Sequence, residues 1–242
     1  MLLAVISDIH GNDAALQAVL TDIDNAGADG LVCLGDVATL GPNPTSTIER
    51  LRDLRCPCIM GNHDEFLLDA ALVYRYTEDP LIAASVDWCR AQLSVDDLDF
   101  IRGFERRMRM ELAPGVSALL YHGSPASHLD DLLATTSPEE LDRLMSGHVA
   151  DIMVGGHTHV QMVRQHHGSL LLNPGSVGLA FKDFPEGREP TLLTHAEYAL
   201  ARADEKGISV TVRRVAFDVK AHREAIACTD HPMRDWLLGQ YR

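Results

Sequence analysis

Aspartate, histidine and asparagine are concentrated in five short stretches of this chain: Asp8-Ile9-His10, Gly35-Asp36, Gly61-Asn62-His63-Asp64, His122-Gly123 and Gly155-Gly156-His157-Thr158-His159. Carboxylate, imidazole and amide oxygen are ligands for divalent cations. No thiolate is among them, which points away from structural zinc and toward a catalytic ion such as Mn²⁺, Fe or Zn²⁺. Seven residues are candidate ligands: Asp8, His10, Asp36, Asn62, His122, His157 and His159. That is more than one ordinary site takes. It suits two ions sharing a bridging carboxylate, ~3.5–4 Å apart, as in two-metal phosphate chemistry. Asp8 and His10 lie two apart at a strand end and are expected to point the same way by the period of two; His157 and His159 repeat that spacing.

Each stretch follows an apolar run, so strands are expected to deliver the ligands to one sheet edge. Leu2 to Ile6 is continuously apolar, as in a strand buried on both faces. Asn12 then offers an N-cap, Leu16, Val19, Leu20 and Ile23 recur at helical spacing, and Gly27 offers a stop. Leu31 to Leu34 reads as a second strand, Thr45 to Leu54 as a helix and Cys58 to Met60 as a short third strand. This β-α-β-α-β start favours parallel strands joined by helices. Residues 65–104 read as a helical insertion over the site, with Ser94-Val95-Asp96-Asp97 as a capping box. A hairpin follows, Met108 to Leu112 with Val116 to Tyr121. Pro138, behind Ser137, opens a helix that ends near Gly147. Further strands are expected at Ile152 to Val154, Leu170 to Leu172, Thr191 to Thr194 and Ile208 to Phe217, and a helical tail over 219–242. The 242 residues carry no internal repeat and no linker, so one domain over 1–242 is expected.

The charge balance is 21 basic against 35 acidic residues, net −14, which argues against binding a nucleic-acid backbone. A small anionic substrate stays compatible, because bound cations reverse the local field. No apolar run approaches the ~20 residues of a membrane span. The N-terminus enters a strand with no basic leader, so the expected location is the cytoplasm. The five cysteines fit neither a zinc ribbon nor a redox pair and read as buried thiols. Arg102, Arg106, Arg107 and Arg109 form the dense basic run; Arg107 and Arg109 alternate with Met108 and Met110, as on a solvated strand face. His166-His167, before Gly168, reads as a solvated turn.

Taken in order between residues 8 and 159, the motifs D-x-H, G-D, G-N-H-D, H-G and G-H-T-H resemble those of the calcineurin-like metallophosphoesterases. The loop Asn173-Pro174-Gly175-Ser176-Val177-Gly178 extends the resemblance to the small prokaryotic members. The resemblance implies an α/β fold: a four-layer α/β/β/α sandwich of two mixed sheets flanked by helices. It implies two divalent metal ions, Mn²⁺ foremost, with Fe, Zn²⁺, Ni²⁺ and Mg²⁺ as alternatives. Carried over residue by residue, Asp8, His10 and His159 would hold one metal, Asn62, His122 and His157 the other, and Asp36 would bridge. His63 would contact the substrate phosphate and protonate the leaving oxygen. Asp64 would orient His63, or else simply cap the following helix. The nucleophile would be a hydroxide shared by the metals.

Departures from the wider superfamily narrow the expected substrate. Protein phosphatases and diadenosine tetraphosphatases of this family carry an arginine after G-D, in G-D-x-V-D-R-G; here Gly35-Asp36-Val37-Ala38-Thr39-Leu40-Gly41-Pro42 has none. The chain is more similar to small stand-alone phosphodiesterases. The expected activity is hydrolysis of a small phosphoester, a diester foremost, with a phosphomonoester or nucleotide as alternatives. A non-catalytic scaffold of the same fold is the reading from a different class, and the presence of His63 with a full ligand set speaks against it.

Overall fold

The computed structural model describes residues 1–241. Along the chain these form β1 (Leu2–Ile6), α1 (Asp13–Ala26), β2 (Gly30–Cys33), α2 (Pro44–Asp53), α3 (Asn62–Leu68), α4 (Val73–Tyr76), α5 (Pro80–Gln92), α6 (Val95–Arg102), β3 (Arg107–Ala113), β4 (Val116–Tyr121), α7 (Pro138–Met145), β5 (Ile152–Val154), β6 (Met162–His166), β7 (Ser169–Asn173), β8 (His195–Asp204), β9 (Gly207–Ala216), α8 (Val219–Ala227) and α9 (Arg234–Gln240).

Among the described residues, one sheet has the order β2-β1-β8-β9 and the other β3-β4-β5-β7-β6. Both are mixed. In the first, β1 runs parallel to β2 and antiparallel to β8. In the second, β4, β5 and β7 are parallel, flanked by antiparallel β3 and β6.

Side-chain alternation explains the layers. Leu3 and Val5 of β1 point into the space between the sheets, with Val32, Ala118, Leu120, Ile152, Val154 and Leu172. Leu2, Ala4 and Ile6 point the other way, onto Leu16, Val19 and Ile23 of α1 and Ile48 and Leu51 of α2. On the second sheet, Leu119, Tyr121, Met153 and Leu171 face outward onto Leu141, Leu144 and Met145 of α7. Period two in the strands thus meets period 3.6 in the helices on both outer faces. The result is the α/β/β/α sandwich.

Local signals set the boundaries. The Asn12 side chain accepts from Ala15 N at 3.1 Å, and Gly27 closes α1 in the left-handed region, φ 65°. The helical segment after α3 has its own small core of Phe66, Val73, Ala83 and Val86. Helices α8 and α9 pack with Leu40, Leu179 and Leu192, and the Tyr241 hydroxyl donates to Gly178 O at 3.0 Å.

Three expectations change. Cys228 is exposed, while the other four cysteines are buried. Cys58 to Met60 makes only isolated bridges, Cys58 to Cys33 and Ile59 to Glu105, because the chain turns into α3 at once. Thr191 to Thr194 is not a strand; Leu192 bridges Phe181, and the strand begins at His195. That strand, β8, is Ala-rich, with low β propensity, and its place comes from tight packing on both faces.

Candidate metal centre

The donors lie where the parallel strands of the two sheets end. Asp8 and His10 follow β1, Asp36 follows β2, His122 follows β4, and His157 and His159 follow β5; Asn62 and His63 open α3. Ligand sites at the carboxyl ends of parallel strands are a general property of α/β folds.

The backbone does not present these side chains as strand periodicity would. Asp8, His10, Asp36, His157 and His159 all have left-handed backbone, with φ of 55°, 46°, 56°, 68° and 57°. Non-glycine residues seldom adopt this region. Asp8 and His10 therefore share a side because the chain has left β1 and zigzags through left-handed residues. Two neighbouring loops hold that path. Asp8 N, His10 N and Gly11 N donate to Gly35 O, Asp36 O and Val37 O at 2.9, 3.0 and 2.9 Å. From the other side, Gly178 N and the Ser176 hydroxyl donate to Asp8 O at 3.0 and 2.7 Å. Gly178 lies so close to Ile9 O that a Cβ there would overlap it. The Asn173–Gly178 loop is thus a buttress for Asp8 to His10.

The donors form two buried groups, Asp8 with His10 and His159, and Asp36 with His122 and His157. Within the first, His159 Nε2 lies 3.3 Å from Asp8 Oδ1 and 3.2 Å from His10 Nε2. Within the second, His122 Nε2 lies 3.4 Å from Asp36 Oδ2 and 3.0 Å from Asn62 Oδ1. Asp36 Oδ2 is also 3.7 Å from His10 Nε2, so this one oxygen stands between the groups.

The far ring nitrogens are tied to oxygens. His122 Nδ1 donates to Leu34 O at 2.7 Å and His159 Nδ1 to Leu179 O at 2.8 Å. His10 Nδ1 is 3.2 Å from the Thr39 hydroxyl. A donor hydrogen on Nδ1 leaves the Nε2 lone pair for a metal. Asp8 Oδ1 is buried without a hydrogen-bond partner. An orphaned carboxylate oxygen beside inward lone pairs fits divalent cations well.

Electrostatics follow the crowding. Burial pushes the imidazoles of His10 and His157 down to about 3, so both are neutral at ordinary pH. Burial acts the same way on His122, but Asp36 and Asp8 overcome it and hold its imidazole up at about 10, so a metal binding there would displace the Nε2 proton. For Asp8, burial opposes the charge, and His159 together with His122 outweighs it, giving about 2.

The role expected for Asp64 is corrected. Its carboxylate accepts from Asp36 N at 2.7 Å, Val37 N at 2.9 Å and Gly61 N at 3.0 Å. Those three bonds occupy it, and His63 Nδ1 is buried with no partner. Asp64 caps α3 and fastens the Asp36 turn; it does not orient His63. The His63 ring is held by packing instead, 5.1 Å from the rings of both His10 and Phe66.

Several residues at the site were not singled out from sequence. Asp131 Oδ1 lies 3.5 Å from His157 Nε2 at the exposed rim. Thr39 contacts His10, and the Tyr76 ring stands 6.0 Å from His63 and 6.4 Å from His157. Asp131 and Tyr76 lie in segments with no motif of their own, and the distances along the chain are too long for local patterns to link them to the centre. Elsewhere, His166 and His167 meet Asp142 Oδ1 at 2.8 and 3.0 Å on the surface. Ordinary hydrogen bonds account for that grouping.

A family model described as the calcineurin-like phosphoesterase superfamily domain matches residues 1–198. The chain belongs to that superfamily. It is a metal-dependent phosphoesterase by family, with donors fit to bind metal. It is similar to the uncharacterized protein MJ0912 of Methanocaldococcus jannaschii, 29% identical over 242 residues, covering 98% of this chain and 95% of that one. It is similar also to phosphodiesterase YfcE of Escherichia coli K12, 28% identical over 200 residues, covering 78% and 84%. The crystal structure of a metallophosphoesterase from Sphaerobacter thermophilus shares the fold, with a TM-score of 0.76 at 23% identity, covering 100% of this chain and 98% of that one.

Proposed function

We propose that this phosphoesterase hydrolyses small phosphodiesters at a dinuclear metal centre. The observation that carries the reading is the position of Asp36 Oδ2, 3.7 Å from His10 Nε2 and 3.4 Å from His122 Nε2. Asp8 Oδ1 lies farther from the second group, 3.9 Å from His122 Nε2, so Asp36 is the carboxylate whose place better supports a bridging ligand. Asp8, His10 and His159 would hold one ion; Asn62, His122 and His157 the other. When bound, the pair supplies an activated water and polarises the phosphoryl oxygens. Mn²⁺ suits the mixed nitrogen and oxygen donors, and Fe, Zn²⁺, Ni²⁺ and Mg²⁺ are the alternatives to test.

The chain's own contribution is His63, the proposed general acid. Burial pushes its imidazole below the usual range, and Asp36 pulls it partly back. The negative charge of a bound phosphodiester beside the ring favours the imidazolium. That form hands its proton to the departing alkoxide oxygen, which needs it most when the alcohol is a poor leaving group. Two observations favour the diester: the turn from Asp36 to Pro42 lacks an arginine to grip a dianionic phosphate, and the similar protein YfcE is named a phosphodiesterase.

Elemental analysis with turnover of bis(p-nitrophenyl) phosphate and p-nitrophenyl phosphate under added Mn²⁺ tests the reading. Two ions per chain and faster diester hydrolysis are expected. Two ions with no turnover under any of the metals would make the chain a binding protein, and a single ion would remove the bridge.

A further inference from the structure

Tyr76 brings the helical segment between α3 and β3 to the metal centre. Tyr76 ends α4, and its ring packs against Phe66 at 5.5 Å, edge-on to His63 at 6.0 Å and across from His157 at 6.4 Å. His63 opens α3 and His157 follows β5, so the tyrosine spans two flanks of the site. Its position is fixed from behind. Val73, one turn earlier, is buried with Phe66, Ala83 and Val86. Tyr74, by contrast, is 67% exposed, whereas Tyr76 leans inward and keeps 43% of its surface at the rim. A tyrosine phenol keeps its hydrogen at neutral pH. Such a hydroxyl is a donor, with an obvious class of acceptor once cations and an anion enter.

Resting on the phosphoesterase reading above, we propose that Tyr76 is a substrate-contacting residue, donating its phenol hydrogen to a non-bridging phosphoryl oxygen and closing one side of the mouth with its ring. The phosphoryl group is the ligand class. The helical segment then contributes a hydrogen-bond donor to the site.

The test uses the full chain loaded with Mn²⁺ and two variants, Tyr76→Phe and Tyr76→Ala. Two quantities are read: kcat/KM for bis(p-nitrophenyl) phosphate, and affinity for inorganic phosphate by isothermal titration. Tyr76→Phe is expected to lose about tenfold in both, as for one hydrogen bond to a charged group, with metal content and melting midpoint unchanged. Tyr76→Ala is expected to lose more in kcat/KM. Wild-type values in Tyr76→Phe for both quantities overturn the proposal, as does a loss that merely tracks lost metal. If the wild type hydrolyses nothing but binds phosphate, the reading of hydrolysis fails while the phosphate arm still judges Tyr76. If it binds no phosphate either, both fall.

Discussion

The carboxylate of Asp64 accepts the backbone N–H of Asp36 at 2.7 Å. A residue on α3 thereby fixes the backbone of the residue that stands between the two donor groups. Val37 N and Gly61 N complete its coordination, at 2.9 and 3.0 Å. The centre is therefore tied together beneath its donors as well as through them.

Replacing Asp64 with alanine would strand three buried N–H groups. At roughly 1–3 kcal/mol for such a loss, and about 2–4 °C per kcal/mol for a chain of this size, the melting midpoint should fall by several degrees. Metal content should fall with it, because Asp36 loses its support. Asp64→Asn, with one acceptor oxygen left, should lie between. A midpoint and metal content equal to wild type in Asp64→Ala would show that these bonds are not what holds the turn.

On the proposed assignment His63→Ala should keep both ions, because His63 belongs to neither donor group. Removing a general acid typically costs 10²–10⁴-fold. The loss should be large with an alkyl leaving group and small with p-nitrophenolate, which departs without protonation. Equal losses on the two substrates would remove His63 from proton transfer.

Single donor substitutions should be asymmetric. His159→Ala is expected to lose one ion and Asp36→Ala both, as read by elemental analysis after dialysis. If Asp36→Ala retained one ion at full occupancy, the bridging assignment would be wrong.

Metal should also stabilise the fold. Ions that bind only the folded chain add about 2.7 kcal/mol at a hundredfold excess over Kd. They also relieve the repulsion between Asp8 and Asp36. Adding Mn²⁺ to chelator-treated protein should raise the melting midpoint by several degrees, and the gain should vanish in Asp36→Ala. An unchanged midpoint across a Mn²⁺ titration would argue that the groups bind no cation there.

Gly178→Ala should be poorly tolerated, since its Cβ would overlap Ile9 O. Displacing Ile9 moves Asp8 and His10 together. The expected result is a lower midpoint and weaker metal binding, checked by melting and elemental analysis; wild-type values for both would deny the loop its buttressing part.

Much of this was legible in the chain itself. The buried run Leu2 to Ile6, the Asn12 cap and the Gly27 stop are local signals, and the structure keeps them. The seven candidate ligands converge because each lies a few residues beyond a strand or at a helix start, where local pattern is strong. Three things lay beyond local pattern. The strand His195–Asp204 is composed against its propensity and owes its form to neighbours on both faces. Two of the three hydrogen bonds of Asp64 run to backbone 28 and 27 residues away, which no spacing rule encodes. Tyr76 reaches the centre through packing that sequence alone does not display.

The left-handed donors carry a wider consequence. At Asp8, His10, Asp36, His157 and His159 the backbone would be more comfortable with glycine. Glycine there would relieve the backbone but strand buried N–H groups, since His157 N donates to Asp8 Oδ2 and His63 N to Asp36 Oδ1. These five positions trade backbone comfort for donor placement, so any engineering of this chain should hold them fixed and seek hardiness elsewhere.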